Sequence, residues 1–165
     1  MELLDLYDTN GNLLNKTIIR GDKNLADGEH IKRVTIWIKC KDRFLIQKCS
    51  VQKGGAYAVT GGHVQTGKTS QEQAKIELKE ELGLEINLKD LMPLGNIFGE
   101  HSIFDVFMIE NNILDIYNFT LQQEEVEDVF WLSKSEIEGL IQKSILRKST
   151  EIQYEKFIKN IDSNM

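Results

Sequence analysis

The chain has 165 residues, 41% of them hydrophobic, which is enough for one compact core and too little for two ordinary domains. Its 20 basic and 26 acidic residues give a net charge of −6, which argues against a broad electrostatic grip on a nucleic-acid polymer. The acidic start MELLDLYD and the lack of a membrane-length apolar run predict a soluble, cytoplasmic protein with no membrane partner. Cys40 and Cys49 are too few for a disulfide framework, so we expect reduced thiols.

The predicted elements begin with a hairpin extension over residues 1–28, in which an Asn-Gly turn signal separates two short apolar patterns. A second hairpin is predicted for the β-branched and aromatic runs 34–38 and 44–46, which bracket a polar turn. Residues 56–59 are expected to form a short strand that ends at two consecutive glycines.

The most regular helical pattern runs from about residue 69 to residue 82. Ala74, Leu78 and Leu82 recur at four-residue steps and define an apolar stripe. Gly83 stands where a helix commonly ends in a C-capping glycine. The spacing therefore predicts an amphipathic helix.

The rest of the chain alternates between strand-like and helix-like patterns. Strands are predicted at residues 94–98, 103–109 and 129–132, and Ser133 opens a helix with capping chemistry. A C-terminal helix or tail is predicted over 150–165. Strands before, between and after helices indicate a mixed α/β domain with a sheet covered by helices.

Three carboxylates lie on the predicted helix, opposite its apolar stripe. Glu77, Glu80 and Glu81 stand at i, i+3 and i+4, so they project from one face and repel one another. Oxygen-only ligands at this density suit Mg²⁺ or Mn²⁺. The alternative is a solvated acidic face, because Lys75 and Lys79 are interleaved with the glutamates.

A glycine-rich loop is predicted between residues 61 and 67, directly before this helix. Such a loop brings backbone close to a ligand, and the helix start directs N–H groups at anions. Phosphates and a metal ion can therefore meet there. The candidate substrate-binding residues are Gly61, Gly62 and Lys68.

The segment 61–84, GGHVQTGKTSQEQAKIELKEELGL, resembles the signature of the Nudix hydrolases, G-x5-E-x7-R-E-U-x-E-E-x-G-U, where U is a bulky aliphatic residue. The resemblance implies a single Nudix domain over residues 1–165, built as an α/β/α sandwich with a mixed sheet. It also implies that the three glutamates are catalytic and hold the metal. The matching positions are Gly62, Glu77-Leu78, Glu80-Glu81 and Gly83-Leu84.

Two signature positions differ from the family pattern. Lys68 replaces the first glutamate, and Ile76 replaces the arginine that precedes Glu77. In the family these two side chains are expected to pair, so their joint loss is coherent. Ile76 offers no charge to orient the carboxylate of Glu80 one turn away.

Further segments resemble the Nudix subgroup most similar to isopentenyl-diphosphate isomerase, among them Gly28-Glu29-His30 and Thr60-Gly61-Gly62-His63. True isomerases carry a catalytic cysteine at the position of Gly61. The resemblance implies that His30 and His63 supply a second metal site, and loop histidines bonded to backbone are the alternative.

These features predict an Mg²⁺-dependent (or Mn²⁺-dependent) hydrolase that cleaves a diphosphate linkage in a small nucleoside-diphosphate-like or other phosphoanhydride substrate. The signature does not fix the general base, which in the family is either a glutamate of the signature helix or a glutamate from a later loop. Our candidates are Glu124 and Glu125, with Glu125 favoured because the following strand anchors it.

Two other functions stay open at this point. Lys68 and Ile76 favour a catalytically weakened nucleotide- or diphosphate-binding module, whereas Gly61 disfavours an isopentenyl-diphosphate isomerase. The sequence also leaves a homodimer open.

Overall fold

The computed structural model describes residues 2–111 and 118–161. Met1 and the last four residues of the predicted 150–165 segment lie outside this part. The described strands are β1 (Leu3–Tyr7), β2 (Leu13–Ile19), β3 (Ile31–Cys40), β4 (Arg43–Cys49), β5 (Tyr57–Ala58), β6 (Thr60–His63), β7 (Met92–Phe98), β8 (Ser102–Glu110) and β9 (Val126–Ser133). The helices are α1 (Ser70–Leu82), α2 (Lys134–Gln142) and α3 (Lys148–Gln153), which continues as a π-helical segment, Tyr154–Ile158.

Strands β3 to β9 form one mixed sheet. β3 and β8 run parallel over nine paired residues, and the other ladders are antiparallel. β1 and β2 form a separate two-stranded sheet. The sheet is covered by α1 on one face and by α2 and α3 on the other. The predicted α/β sandwich with a mixed sheet is thus confirmed.

Alternation along the strands divides the core into two layers. Val34, Ile36 and Ile38 of β3 pack against the apolar stripe of α1, and Trp37 packs on the opposite face against α2 and α3. Burying a large apolar side chain of this kind contributes roughly 1.5–3 kcal/mol. Both faces of the sheet therefore hold their helices firmly.

Helix α1 has the predicted ends. Thr69 caps its N-terminus by accepting a hydrogen bond from the backbone N–H of Glu72, and Gly83 ends it in a left-handed conformation with φ of 66°. The face carrying Ala74, Leu78 and Leu82 is fully buried. Glu77, Glu80 and Glu81 lie outside this stripe.

The central hairpin opens into a fork. β3 and β4 pair only beside their turn, at Lys39 with Phe44 and at Cys40 with Arg43. Farther from the turn, β6 pairs with β3 and β5 pairs with β4. The segment between Tyr57 and His63 thus enters the sheet between two diverging strands.

This segment corrects two predictions from the sequence. The single strand 56–59 is replaced by β5 and β6, and Gly61 and Gly62 lie inside β6 rather than in a loop before the helix. The physical reason is close packing. A Cβ on Gly61 would lie 2.3 Å from the carbonyl oxygen of Val34, so only glycine lets the two strands approach this closely.

The C-terminal helix also differs from the prediction, which began it at residue 150. It begins two residues earlier, at Lys148, and Thr150 lies buried within it. After Gln153 the helix widens into the π-helical segment, in which Lys159 N–H bonds to the Tyr154 carbonyl five residues back. Among the described helices, none is long and apolar enough to cross a membrane.

We expect Gly61→Ala to destabilise the protein by about 1–3 kcal/mol, because the new methyl group collides with backbone that cannot rotate away. Gly139→Ala is the matched control. Within the described residues nothing lies within 4 Å of a Cβ there, and alanine is favoured over glycine in a helix by about 0.5–1 kcal/mol. Urea unfolding of both variants measures this difference, and an unchanged Gly61→Ala midpoint would contradict it.

Candidate active site

A cavity of about 280 Å³ lies where β3 and β4 diverge. Side chains from the sheet, α1, α3 and five connecting segments converge on it, and they bring acidic and basic groups into one space. Its lining consists of Arg20, Arg33, Thr35, Gln47, Cys49, Lys53, Val59, Gly61, Gly62, His63, Glu81, Phe104, Glu125, Arg147, Ser149 and Thr150.

Two of the three predicted carboxylates meet beside this cavity. Glu81 is buried and Glu77 is half-buried, and the two carboxyl groups lie in hydrogen-bonding contact one helical turn apart. Amide groups orient them, since Gln73 Nε2 donates to Glu77 Oε1 at 2.9 Å and Gln47 Nε2 donates to Glu81 Oε1 at 3.2 Å. Neutral amides thus orient carboxylates in this chain, where the family signature has an arginine next to Glu77.

The pair is strained electrostatically. Burial, reinforced by the neighbouring Glu77 carboxyl, raises the pKa of Glu81 to about 9, and burial also raises the pKa of Glu77. Without metal, Glu81 is therefore protonated at neutral pH and shares its proton with Glu77. In its ionised form the Glu81 Oε2 atom has no donor anywhere in the described chain.

The third carboxylate, Glu80, lies apart from this pair. Its side chain is exposed and does not line the cavity, although its charge contributes to the raised pKa of Glu77. Spacing on a helix places the three groups on one broad face, as predicted. The sheet then covers one edge of that face and leaves Glu80 in solvent.

Gly62 permits the carboxylates to reach the cavity. A Cβ at this position would lie 2.4 Å from Glu77 Oε1, so a side chain there would displace the carboxyl group. Gly61 and Gly62 both line the cavity. Their role in the structure is to give Glu77 and the two strands room, and they approach a bound ligand only through backbone.

A cluster of cations faces the carboxylates across the cavity. Arg20, Arg33, Lys53 and Arg147 all line it. Burial and the charges of Arg147 and Arg20 lower the pKa of Arg33, and its Nε atom has no acceptor among residues 2–111 and 118–161. Cations that repel one another around a cavity are arranged to bind a polyanion.

The sequence analysis missed these arginines because they come from separate segments. Arg20 follows β2, Arg33 lies in β3 and Arg147 precedes α3. One signal was available for Arg33, since it interrupts an apolar strand on the same side as Trp37. The other two residues carry no local pattern.

The two candidate metal-binding histidines separate in the structure. His63 lines the cavity, whereas His30 is buried outside it, pairs with Tyr7 through backbone and packs against Phe98. Burial, followed by the charges of Arg33 and Arg20, lowers the pKa of His63 to about 4, so its imidazole is neutral at pH 7. The structure does not bring these two histidines together at the cavity.

The two candidate bases also have different positions. Glu125 lines the cavity, and its Oε1 atom lies 3.3 Å from Lys53 Nζ. The Glu124 side chain is exposed, and its carbonyl oxygen accepts a hydrogen bond from the Ser50 hydroxyl at 2.7 Å. Backbone and side-chain bonds from Ser50 thus hold this segment so that Glu125 points inward.

Lys68 lies elsewhere. It is exposed and lines a separate pocket of about 500 Å³ together with Lys32, Asp105 and the start of α1. It therefore does not share the cavity with Glu81. Ile76, the other departure from the signature, is half-buried on α1.

Metal-binding capacity rests on Glu77 and Glu81. The described residues contain no ready-made group of three or more His, Cys, Asp or Glu side chains in metal-binding geometry. The chemistry of the pair nevertheless fits a hard cation: both donors are oxygens, they repel when ionised, and Glu81 Oε2 lacks a partner within the described chain.

Comparisons with known proteins identify the family of the chain. The NUDIX domain model matches residues 29–159, and an uncharacterized Nudix hydrolase of Listeria innocua is 35% identical over 145 residues, covering 85% of each chain. The chain therefore belongs to the Nudix family. The prediction of a Nudix-type pyrophosphohydrolase is thus confirmed as an enzyme class. Members of the family generally use divalent metals such as Mg²⁺ or Mn²⁺.

Solved structures show the same fold. A protein of Deinococcus radiodurans gives a TM-score of 0.77 at 21% identity, covering 94% of this chain and 99% of that chain. The Nudix domain of Shewanella oneidensis NrtR, solved with ADP ribose, gives a TM-score of 0.62 at 12% identity, covering 83% and 91%. The finer resemblance to isopentenyl-diphosphate isomerase stays a prediction.

The raised pKa of Glu81 predicts an unusual pH dependence of stability without metal. Between the unfolded pKa of about 4.5 and the folded pKa of about 9, the folded state binds more protons than the unfolded state. Stability should therefore fall as pH rises, by up to about 1.4 kcal/mol per pH unit.

Chemical denaturation in EDTA between pH 7 and 8.5, above the titration of ordinary histidines, measures this slope. Glu81→Gln should flatten it, whereas Glu85→Gln, at an exposed position on the far side of Gly83, should keep the wild-type slope. Equal slopes in wild type and Glu81→Gln would show that Glu81 is ionised in the folded protein.

Proposed function

We propose that this protein is a divalent-metal-dependent pyrophosphohydrolase that cleaves the diphosphate linkage of a small nucleoside-diphosphate-like or related phosphoanhydride substrate. The observation that carries the proposal is one cavity that is lined by Glu81, whose carboxyl group contacts that of Glu77, and by Arg20, Arg33 and Arg147. Carboxylates alone would repel a diphosphate, and arginines alone would only bind it. Together they fit a site for a phosphoanhydride and a cation.

Glu77 and Glu81 would hold Mg²⁺ or Mn²⁺, with Glu80 as a further ligand at the exposed edge of the helix. When bound, the metal supplies charge neutralisation at the diphosphate and acidifies water. The chain's own part is to keep these oxygens in place. Gln73 and Gln47 do this by donating one amide hydrogen bond to each buried carboxyl group.

The basic residues would bind and orient the phosphates. Guanidinium groups donate two parallel hydrogen bonds to phosphate oxygens, and the half-buried Arg33 has a buried Nε–H with no acceptor among the described residues. Arg33 and Arg147 both line the cavity, so together they would bind the diphosphate at two points and orient it relative to Glu81.

Hydrolysis needs a water oxygen to attack one phosphorus while the bond from that phosphorus to the bridging oxygen breaks. Glu125 would accept the proton of that water, because its carboxylate lines the cavity and is tethered by Lys53 without being buried. Two phosphate-bearing products then leave. The solved NrtR domain with ADP ribose supports a substrate that contains a nucleoside diphosphate.

The structure gives no support to the isomerase alternative at Gly61. A side chain there would overlap the Val34 carbonyl oxygen, so the position has no room for an acid–base thiol. Cys49 does line the cavity, but Arg147 donates a hydrogen bond to its sulfur at 3.3 Å. Hydrolysis therefore remains the function that the geometry supports best.

The first test measures the release of phosphate-bearing products from nucleoside di- and triphosphates, dinucleotides, nucleotide sugars and prenyl diphosphates, with and without Mg²⁺. On the best substrate, Glu81→Gln should lower kcat/KM by about 10²-fold or more, because it removes a charged ligand. Glu80→Gln should also lower it, and Glu85→Gln should not. Tight nucleotide binding with no release at high enzyme concentration would instead indicate a binding module.

A second test separates the two neighbouring glutamates near β9. Glu125→Gln should lower kcat by about 10²-fold or more, with little change in KM or Mg²⁺ binding, since general-base catalysis typically contributes 10²–10⁴-fold. Glu124→Gln changes the same charge one residue away on an exposed side chain and should retain activity. Normal pH–rate profiles in both variants would return the base role to the helix glutamates.

A further inference from the structure

A second, largely apolar cleft of about 230 Å³ opens beside the cavity. Phe104 and Ser149 line both spaces, so one molecule can extend from one into the other. Phe98 and Ile152 also line the cleft, although they are 43% and 42% exposed. Large apolar side chains left partly exposed around a concave surface are typical of ligand sites.

One polar side chain, Gln153, stands in the wall of this cleft and is fully buried. Its Oε1 atom accepts hydrogen bonds from Thr35 Oγ1 at 2.8 Å and from Trp37 Nε1 at 3.0 Å. An indole N–H can only donate, so it fixes the amide oxygen on the side of Trp37. The amide nitrogen must therefore face away from these two partners.

This nitrogen is an unused donor. Gln153 Nε2 is buried and has no acceptor among the residues that the structure describes. The helix widens into its π-helical segment at the next residue, and Gln153 and Tyr154, although consecutive, are both fully buried. Such π-helical turns occur frequently at functional sites. A ligand acceptor in the cleft would satisfy the donor.

We propose that Gln153 is a specificity-determining residue and that the cleft holds the non-phosphate half of the substrate, a planar heterocycle with a carbonyl acceptor. Gln153 Nε2 donates to that carbonyl, and the rings of Phe98 and Phe104 contact the heterocycle. Phe104 also lies 5.3 Å from the Arg33 guanidinium, so the two halves of the substrate meet at this ring. The proposal rests on the proposed function in placing the diphosphate in the adjoining cavity.

The experiment compares binding of UMP and ribose 5-phosphate by calorimetry. The two ligands share a sugar phosphate and differ in the presence of a carbonyl-bearing heterocycle. We expect the wild type to bind UMP at least tenfold more tightly. The side-chain amide NMR signals of Gln153 should shift with UMP and not with ribose 5-phosphate.

Ile152→Trp fills the cleft from a partly exposed position and should abolish the preference for UMP. Leu88→Trp is the matched control, since Leu88 is 44% exposed in a turn that borders neither the cavity nor the cleft, and it should keep the preference. Both variants keep Thr35, Trp37 and Gln153, so the buried hydrogen bonds stay intact.

Equal wild-type affinity for the two ligands, or an unchanged preference in Ile152→Trp, would overturn the proposal. This outcome is separate from the proposed function. If UMP is preferred but no diphosphate of the substrate panel is hydrolysed with Mg²⁺, the cleft is supported and the hydrolase assignment fails. If UDP is hydrolysed without any preference for UMP, the hydrolase stands and the role of Gln153 is wrong.

Discussion

The site depends on two carboxyl groups that are held together where water has little access. On an exposed helix, a pair of like charges one turn apart costs only a few tenths of a kcal/mol, because water screens it. Glu81 is buried, so the same pair cannot ionise fully without a compensating charge. The ionised pair therefore needs a cation because it is buried, and not because of its spacing in the sequence.

The divergence of β3 and β4 leaves room for the carboxyl groups and for the opposite charges that compensate them. A continuous hairpin would cover the edge of α1 with side chains on both strands. The inserted strand β6 presents glycines at that point, and the carboxyl group of Glu77 occupies the space that a Cβ would take. The same opening gives Arg33 and Arg147 access from the opposite face of the sheet. The fold therefore brings opposite charges together through a gap in its own central layer.

The sequence predicted the helix and its acidic face well because both follow from local periodicity. The burial of Glu81 and the exposure of Glu80, which are adjacent in the chain, could not be predicted, since they depend on where the sheet covers the helix. The loop prediction for Gly61 and Gly62 failed because glycine signals a turn and close strand packing equally well. The cation cluster is a product of tertiary structure, and its members share no spacing.

The N-terminal hairpin carries one of the cations, and this has a consequence for motion. Arg20 follows directly after β2. This strand pairs with β1 in a two-stranded sheet that is separate from the main sheet. The hairpin is attached through its first strand: Tyr7 pairs with His30 through backbone, the Thr66 N–H donates to the Leu3 carbonyl, and Gln65 donates to the Glu2 carboxylate. Small peripheral units of this kind open locally at a lower free energy than the core. Detachment of the hairpin would remove a phosphate-binding charge while the carboxylates stay in place, so ligand affinity and the hydrogen-exchange protection of β1 and β2 are thermodynamically coupled.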